Sequence, residues 1–378
     1  MSLYILVYGS VVLLLFISLI NKKYVNLCYG VAFAIMTVFL CLRAGQGTDY
    51  PAYEWIYGLT PSVFDPDNPI YTSGVSTVER GWWIICNIFK SIGIPFEYFI
   101  TLISLIEMLL INRFISKMGV TRYKVLVLLL AYPTLYFTFL FSALRQGIVV
   151  CVFLGIMLPW FMEGKYKRYI LLAVALTAIH SVSLALLLIF VVNYLSHRQI
   201  KFILLSAFVI GLAVTVAGPS LMAPVLYAIG RPSYLTYFGI SIFALLERLI
   251  MALVILYLHN EYGNQDEYAE TLVKYYLVGT SIYIALMAFP LVTSRLCFIF
   301  KVVEIWIIPK MLAGIKKERR VQLTAVLVAI TCFMTLKNID AAITEGNYKD
   351  GINILNYPYV TLLNPEEIYK YRDSMYYR

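Results

Sequence analysis

The side chains able to do chemistry in this chain are few, and arginines lead them. Arg145 in "FSALRQGIVV" and Arg295 in "LVTSRLCFIF" each stand two to three residues inside an apolar run. A charge at that depth is costly and marks a functional site by default. Arg43, Arg80, Arg231 and Arg248 lie toward the same side, whereas the linkers on the opposite side mix lysine with arginine. Topology needs positive charge of either kind. Arginine's planar fork takes phosphate or carboxylate in bidentate fashion and stays charged at low dielectric. Snorkelling to lipid phosphate and structural ion pairing are the alternative readings.

A second group of polar residues sits in "LRAGQGTDYPAYEWIYG", Leu42 to Gly58. The glycines let the chain turn sharply with its backbone near a ligand. Asp49 beside Arg43 can act as a base, accept hydrogen bonds from sugar hydroxyls, or simply pair. Tyr50, Tyr53 and Tyr57 can stack on sugar rings or serve as membrane-interface aromatics. His180, one of only three histidines, lies in an apolar region and can exchange protons near neutral pH. Glu79 can be a second acid, or favour the start of a helix. Asp65-Pro66-Asp67 resembles the D-x-D of metal-dependent sugar transferases, but with Pro66, Asn68 and Pro69 around it a turn is the favoured reading. Lys301 and Glu304, three apart on one helix, are expected to pair with each other. Structural pairing is the expectation for most of Glu107, Glu247 and Arg248. The six cysteines are scattered singly and read as small buried hydrophobes. There is no phosphate-binding glycine loop, nucleophile elbow or metal-ligand helix in the sequence.

The elements that must position these residues are membrane helices. Hydrophobic residues make up 61% of the 378-residue chain, charged residues only 13%, and mean hydropathy is +0.80. Apolar stretches of about twenty residues recur from end to end, the pattern of an all-α polytopic membrane protein. About twelve transmembrane spans are expected, at 2–20, 25–42, 95–111, 123–140, 143–161, 168–179, 181–195, 200–217, 240–258, 271–289, 294–310 and 321–336. The basic linkers, such as Lys22/Lys23, Arg113–Lys124 and Lys165–Arg168, are then cytoplasmic, which accounts for the net charge of +9 and argues against a nucleic-acid partner. The first span reads as a retained helix.

Residues 169–195 are too long for one crossing and short for two, with basic flanks on both sides. The chain must enter and come back, with a turn near "AIHSVS" and His180 at its tip in a water-filled funnel. The whole chain reads as a single integral membrane domain, residues 1–378. Its outer parts are the loop 43–78, an interfacial helix 79–92, a loop 218–239 and the tail 337–378.

Taken together, "RAGQGTDYPAYEWIYG", the following Glu79, "FSALRQGI", "AIHSVS", "TSRL" and "LNYPYV" resemble the EpsG family of Wzy-type exopolysaccharide and O-antigen polymerases. Order and spacing match over most of the chain. The resemblance implies a GT-C-like architecture, an outward-facing funnel and a glycosyltransferase in the bacterial inner membrane with its active site toward the periplasm. It implies a lipid-linked substrate: undecaprenyl-diphosphate oligosaccharide serves as both donor and acceptor, with neither metal nor other cofactor, and a chain-length regulator is a further conceivable partner. In this reading Arg145, Arg295, Arg43 and Arg231 hold the diphosphate. Asp49, His180 or Glu79 handles the acceptor proton, and Tyr50, Tyr53 and Gln146 border the sugar. An O-antigen ligase uses the same residue types but is usually marked by a larger loop between late spans. A flippase or transporter would need internal repeats and broken midplane helices, and no repeat is seen in the sequence.

Overall fold

A computed structural model describes residues 3–61, 78–117, 119, 121–228, 232–262, 266–344, 355, 359–364, 366–367 and 370. Asp65–Asp67 and Arg231 lie outside the described residues. Among the described residues the chain is helical, with one isolated β-bridge.

Seven helices among the described residues are long and apolar enough to cross a membrane: Leu3–Ile20, Lys22–Cys41, Phe96–Lys117, Leu144–Met162, His197–Ala217, Ile242–Tyr262 and Lys317–Thr344. The chain is therefore a multi-pass membrane protein. The other segments read as spans are helical but fall short for visible reasons. Lys124–Leu140 and Ser181–Asn193 are shorter. Glu267–Ala285 carries Glu267, Glu270 and Lys274 near its start. The expected span 294–310 is broken into Pro290–Lys301 and Glu304–Gly314.

By its contacts the chain divides into two compact units. The first comprises residues 1–159, 178–180 and 317–378. Its elements are α1 (Leu3–Ile20), α2 (Val25–Cys41), α3 (Tyr50–Leu59), α4 (Arg80–Ser91), α5 (Phe96–Lys117), α6 (Lys124–Leu140) and most of α7 (Leu144–Met162). The chain returns to it with its last long helix, Lys317–Thr344.

α5 runs antiparallel to α2 and α6 runs parallel to it, as hydrogen bonds along the helices show. At one end the Lys124 ammonium donates to Asn26 at 3.0 Å and the Tyr29 hydroxyl to Asn112 at 2.7 Å. At the other end Thr101 donates to the Cys41 carbonyl at 2.7 Å. The second half of α6, Tyr132–Leu140, is a widened π-helix with Pro133 in its first turn. A proline lacks the N–H of a regular ladder, and side chains from neighbours complete the bonding. Asn338 donates to the Pro133 carbonyl at 2.5 Å, while Tyr132 and Tyr136 donate to the Tyr4 and Met36 carbonyls, each at 2.6 Å. Around α3, α4 and the starts of α5 and α7, an aromatic cluster buries Tyr50, Tyr53, Tyr57, Trp82, Phe96 and Phe99. Aromatic side chains carry large apolar area, so this cluster fixes α3 and α4 against the long helices.

The second unit comprises residues 160–177 and 181–316. It holds α8 (Tyr166–Leu176), α9 (Ser181–Asn193), α10 (His197–Ala217), α11 (Ala223–Ala228), α12 (Ile242–Tyr262), α13 (Glu267–Ala285), α14 (Pro290–Lys301) and α15 (Glu304–Gly314). α8 and α9 double back on one another, tied by Tyr169 donating to the Leu186 carbonyl at 2.9 Å and Ser183 to the Ala173 carbonyl at 3.1 Å. α10 begins with a reciprocal cap in which Ser196 and Gln199 satisfy each other's backbone.

Lys301 ends α14 and Glu304 begins α15, so each charge complements the helix terminus it occupies. They pair at 3.6 Å as the spacing predicts, but Lys301's nearer partner is Glu247 of α12. Arg248 lies over the Tyr283 ring at 4.9 Å. Glu107 of the first unit departs from the pairing expected of it. It is 0% exposed and neither carboxyl oxygen has a hydrogen-bond partner.

Candidate functional site

The segment 42–49 is shaped by two glycines with positive φ, Gly45 at 72° and Gly47 at 122°. A Cβ on Gly47 would stand 2.2 Å from the Phe141 carbonyl oxygen. Only glycine permits this approach. The contact brings the segment against the break between α6 and α7, where Ser142 Oγ accepts the Thr48 N–H at 3.0 Å. Tyr4 donates to Gln46 at 2.7 Å.

From the far end of the chain, residues 359–362 lie alongside 42–44 as an antiparallel bridge between Arg43 and Thr361. Ala44 N–H donates to the Val360 carbonyl at 2.9 Å and Leu362 N–H to the Leu42 carbonyl at 3.1 Å. Tyr359 stacks on Phe39 at 4.5 Å. Sequence reasoning assigned no role to this strap or to Ser142. The strap's one local signal is "YPYV", a short run of strand-forming residues beside a proline.

Arg43 is 0% exposed. Its guanidinium donates to the Leu40 carbonyl at 2.6 Å, Ser104 Oγ at 2.8 Å and the Leu140 carbonyl at 2.8 Å, and it lies 5.0 Å from the Phe141 ring centroid. It ties α2, α5 and the end of α6 together from behind the 42–49 segment.

Arg145, one residue into α7, has a different surrounding. Its guanidinium pairs with the Glu79 carboxylate, with side-chain exposures of 14% and 16%. Its backbone N–H donates to the Tyr53 hydroxyl at 3.4 Å, and its guanidinium lies 5.9 Å from that ring's centroid. Asp49, half-buried at the start of α3, acts electrostatically on both Tyr53 and Arg145. Although Asp49 occupies the N-cap position of α3, its side chain makes no cap bond.

Burial pushes the Tyr53 phenol above its ordinary pKa, against the pull of Arg145. Burial likewise raises Tyr50, and pushes the Cys86 thiol up to about 12. These groups stay protonated, which leaves carboxylate and histidine as the bases at this end of the unit.

His180 is half-buried just after the turn that closes α8, and residues 178–180 belong to the first unit. The Gly81 N–H donates to the Ala178 carbonyl at 2.7 Å, and a Cβ on Gly81 would stand 2.6 Å from that oxygen. Ile179 packs against the aromatic cluster. The turn leading to His180 is thus docked onto the start of α4, two residues from Glu79.

The first unit therefore brings together Asp49, Tyr50, Tyr53, Glu79, Arg145 and the turn leading to His180. Gln146, at 1% exposed, and Tyr50, at 3%, are buried. Arg295 belongs to the second unit, where it donates to the Tyr234 hydroxyl at 3.1 Å beside the loop that packs on Phe289.

Fold and site together define a multi-pass helical membrane protein with an arginine, carboxylates and tyrosines gathered at one end of a helix bundle. The chain belongs to the EpsG family, which it matches over residues 26–360; this is a family of Wzy-type polysaccharide polymerases. No curated protein and no solved structure matches the chain.

Proposed function

We propose that this protein joins undecaprenyl-diphosphate-linked oligosaccharide repeat units on the outer face of the bacterial inner membrane. The growing glycan leaves its lipid carrier and is added to the nonreducing end of the sugar on another. In this reading the acceptor hydroxyl oxygen attacks the anomeric carbon of the donor with inversion. The carbon–oxygen bond to the diphosphate breaks, and the lipid diphosphate departs with the bonding electrons. The hydroxyl proton passes to Asp49 or His180. Arg145 stabilises the charge that develops on the diphosphate, a task for which a guanidinium fork can replace a metal ion. Tyr53 steadies Arg145 from below.

Arg295 and Arg231 keep the role of diphosphate contacts on residue type and depth in the sequence. Arg43 is assigned to support of the 42–49 segment. The reading includes twelve crossings with a GT-C-like arrangement around an outward-facing funnel. It draws support from the seven expected spans that coincide with helices long and apolar enough to cross a membrane.

The observation that carries the proposal is the convergence of Arg145, Glu79, Asp49 and the turn leading to His180 in one unit, inside a chain of the EpsG family. Deleting the gene tests it. A polymerase defect leaves single repeat units attached to their final acceptor. A ligase defect leaves none, and that outcome would overturn the reading. Elongation of a defined undecaprenyl-diphosphate oligosaccharide by the purified protein, with and without chelator, tests the metal-independent chemistry.

A further inference from the structure

We infer that Glu79 is an internal anion occupying the diphosphate site in the resting enzyme, so that its carboxylate and the substrate's diphosphate are alternative partners of the Arg145 guanidinium. The inference rests on the reading of Arg145 as a diphosphate contact.

The ion pair itself is the first support. Both partners are partly open to solvent, at 14% and 16%, whereas the Lys301–Glu247 pair of the second unit is closed off at 2% and 6%. A partly solvated pair gives up its partner at modest cost, while a sealed one does not.

Glu79 also has a second place to go. It stands at the N-cap of the twelve-residue α4 in the extended conformation of a capping residue, φ −65° and ψ 139°, yet makes no cap bond. Displaced from Arg145, the carboxylate still stands at the start of α4, where the helix dipole favours an anion.

The exchange needs no backbone movement. The Arg145 backbone is held by Tyr53, and Gly81, two residues after Glu79, is clamped to the Ala178 carbonyl with no room for a side chain. The released carboxylate therefore stays beside the turn leading to His180.

The arrangement selects for charge. A tethered carboxylate competes well with a singly charged group and poorly with a diphosphate. After transfer, its return to Arg145 helps to expel the lipid diphosphate product.

The test is a binding cycle with inorganic pyrophosphate on the full-length protein in detergent, using wild type, Glu79→Gln, Arg145→Ala and the double variant. Removing the competitor should tighten pyrophosphate binding about two- to tenfold in Glu79→Gln, the range of a partly exposed ion pair. The same change in the Arg145→Ala background should have no effect. Glu79→Asp, which keeps the charge on a shorter stem, should fall between wild type and Glu79→Gln, with melting temperatures confirming that all variants fold. Unchanged or weaker binding by Glu79→Gln overturns the inference. So does equal tightening with and without Arg145, which would report a general field effect. Wild-type pyrophosphate affinity in Arg145→Ala would instead overturn the diphosphate assignment of Arg145, and the inference with it.

Discussion

Arg43 and Arg145 sit at the same end of the same bundle, in opposite surroundings. Arg43 is sealed from solvent, and its two terminal nitrogens donate to two carbonyls and a hydroxyl, all neutral and all in the helical frame. Arg145 pairs with the Glu79 carboxylate at a partly open position and feels Asp49 as well. A guanidinium satisfied by backbone is a tie between helices, and exchanging its partners would mean unfolding them. A guanidinium paired with a partly solvated carboxylate can exchange it for another anion. Both are arginines at one end of an apolar run. What separates them is whether the partner can leave.

That contrast can be broken or sharpened by substitution. Arg43→Met leaves the Leu40, Leu140 and Ser104 acceptors without their donor at a fully buried position. It should cost about 3–5 kcal/mol, read as a collapse in yield and in thermal midpoint. Arg145→Met should leave the midpoint nearly unchanged, since a partly exposed pair contributes about 1 kcal/mol or less. Equal midpoints for the two variants would erase the distinction. Gly47→Ala places a Cβ against the Phe141 carbonyl at a positive φ, and should cost about 2–3 kcal/mol by the same measurement. Leu362→Pro removes the N–H that binds the Leu42 carbonyl and should cost about 1 kcal/mol. Faster hydrogen exchange at Ala44 checks it, because loosening of the strap should reach that amide first. Tyr53→Phe removes a long hydrogen bond to the Arg145 backbone and should cost about 0.5–1 kcal/mol, again by thermal midpoint.

The helical class, seven of the twelve span positions and the turn at Gly45–Gly47 were legible because each is a local pattern: an apolar run, its basic flanks, a pair of glycines. Arg145 stood out because its cost in an apolar run is local too. The partners did not stand out. Arg43 bonds to Leu140, 97 positions away, and Glu79 meets Arg145 at a separation of 66. The strap joins residues more than 300 apart, as Tyr359 bonding to the Phe39 carbonyl at a separation of 320 shows. No periodicity encodes such pairings. The local rule for Lys301 and Glu304 predicted a real contact, yet a distant residue, Glu247, sits closer. Sequence reasoning therefore grouped Arg43 with Arg145 as ligand contacts, and only their surroundings separate the two.

The most direct test is chain growth in cells that lack the native gene and carry Arg145→Lys at normal expression, with membrane levels matched to wild type. The substitution keeps the charge and removes the bidentate fork. The account predicts that the polymer ladder shrinks toward single repeat units, a loss of about 100-fold or more in elongation. A full-length ladder with the wild-type distribution would contradict it.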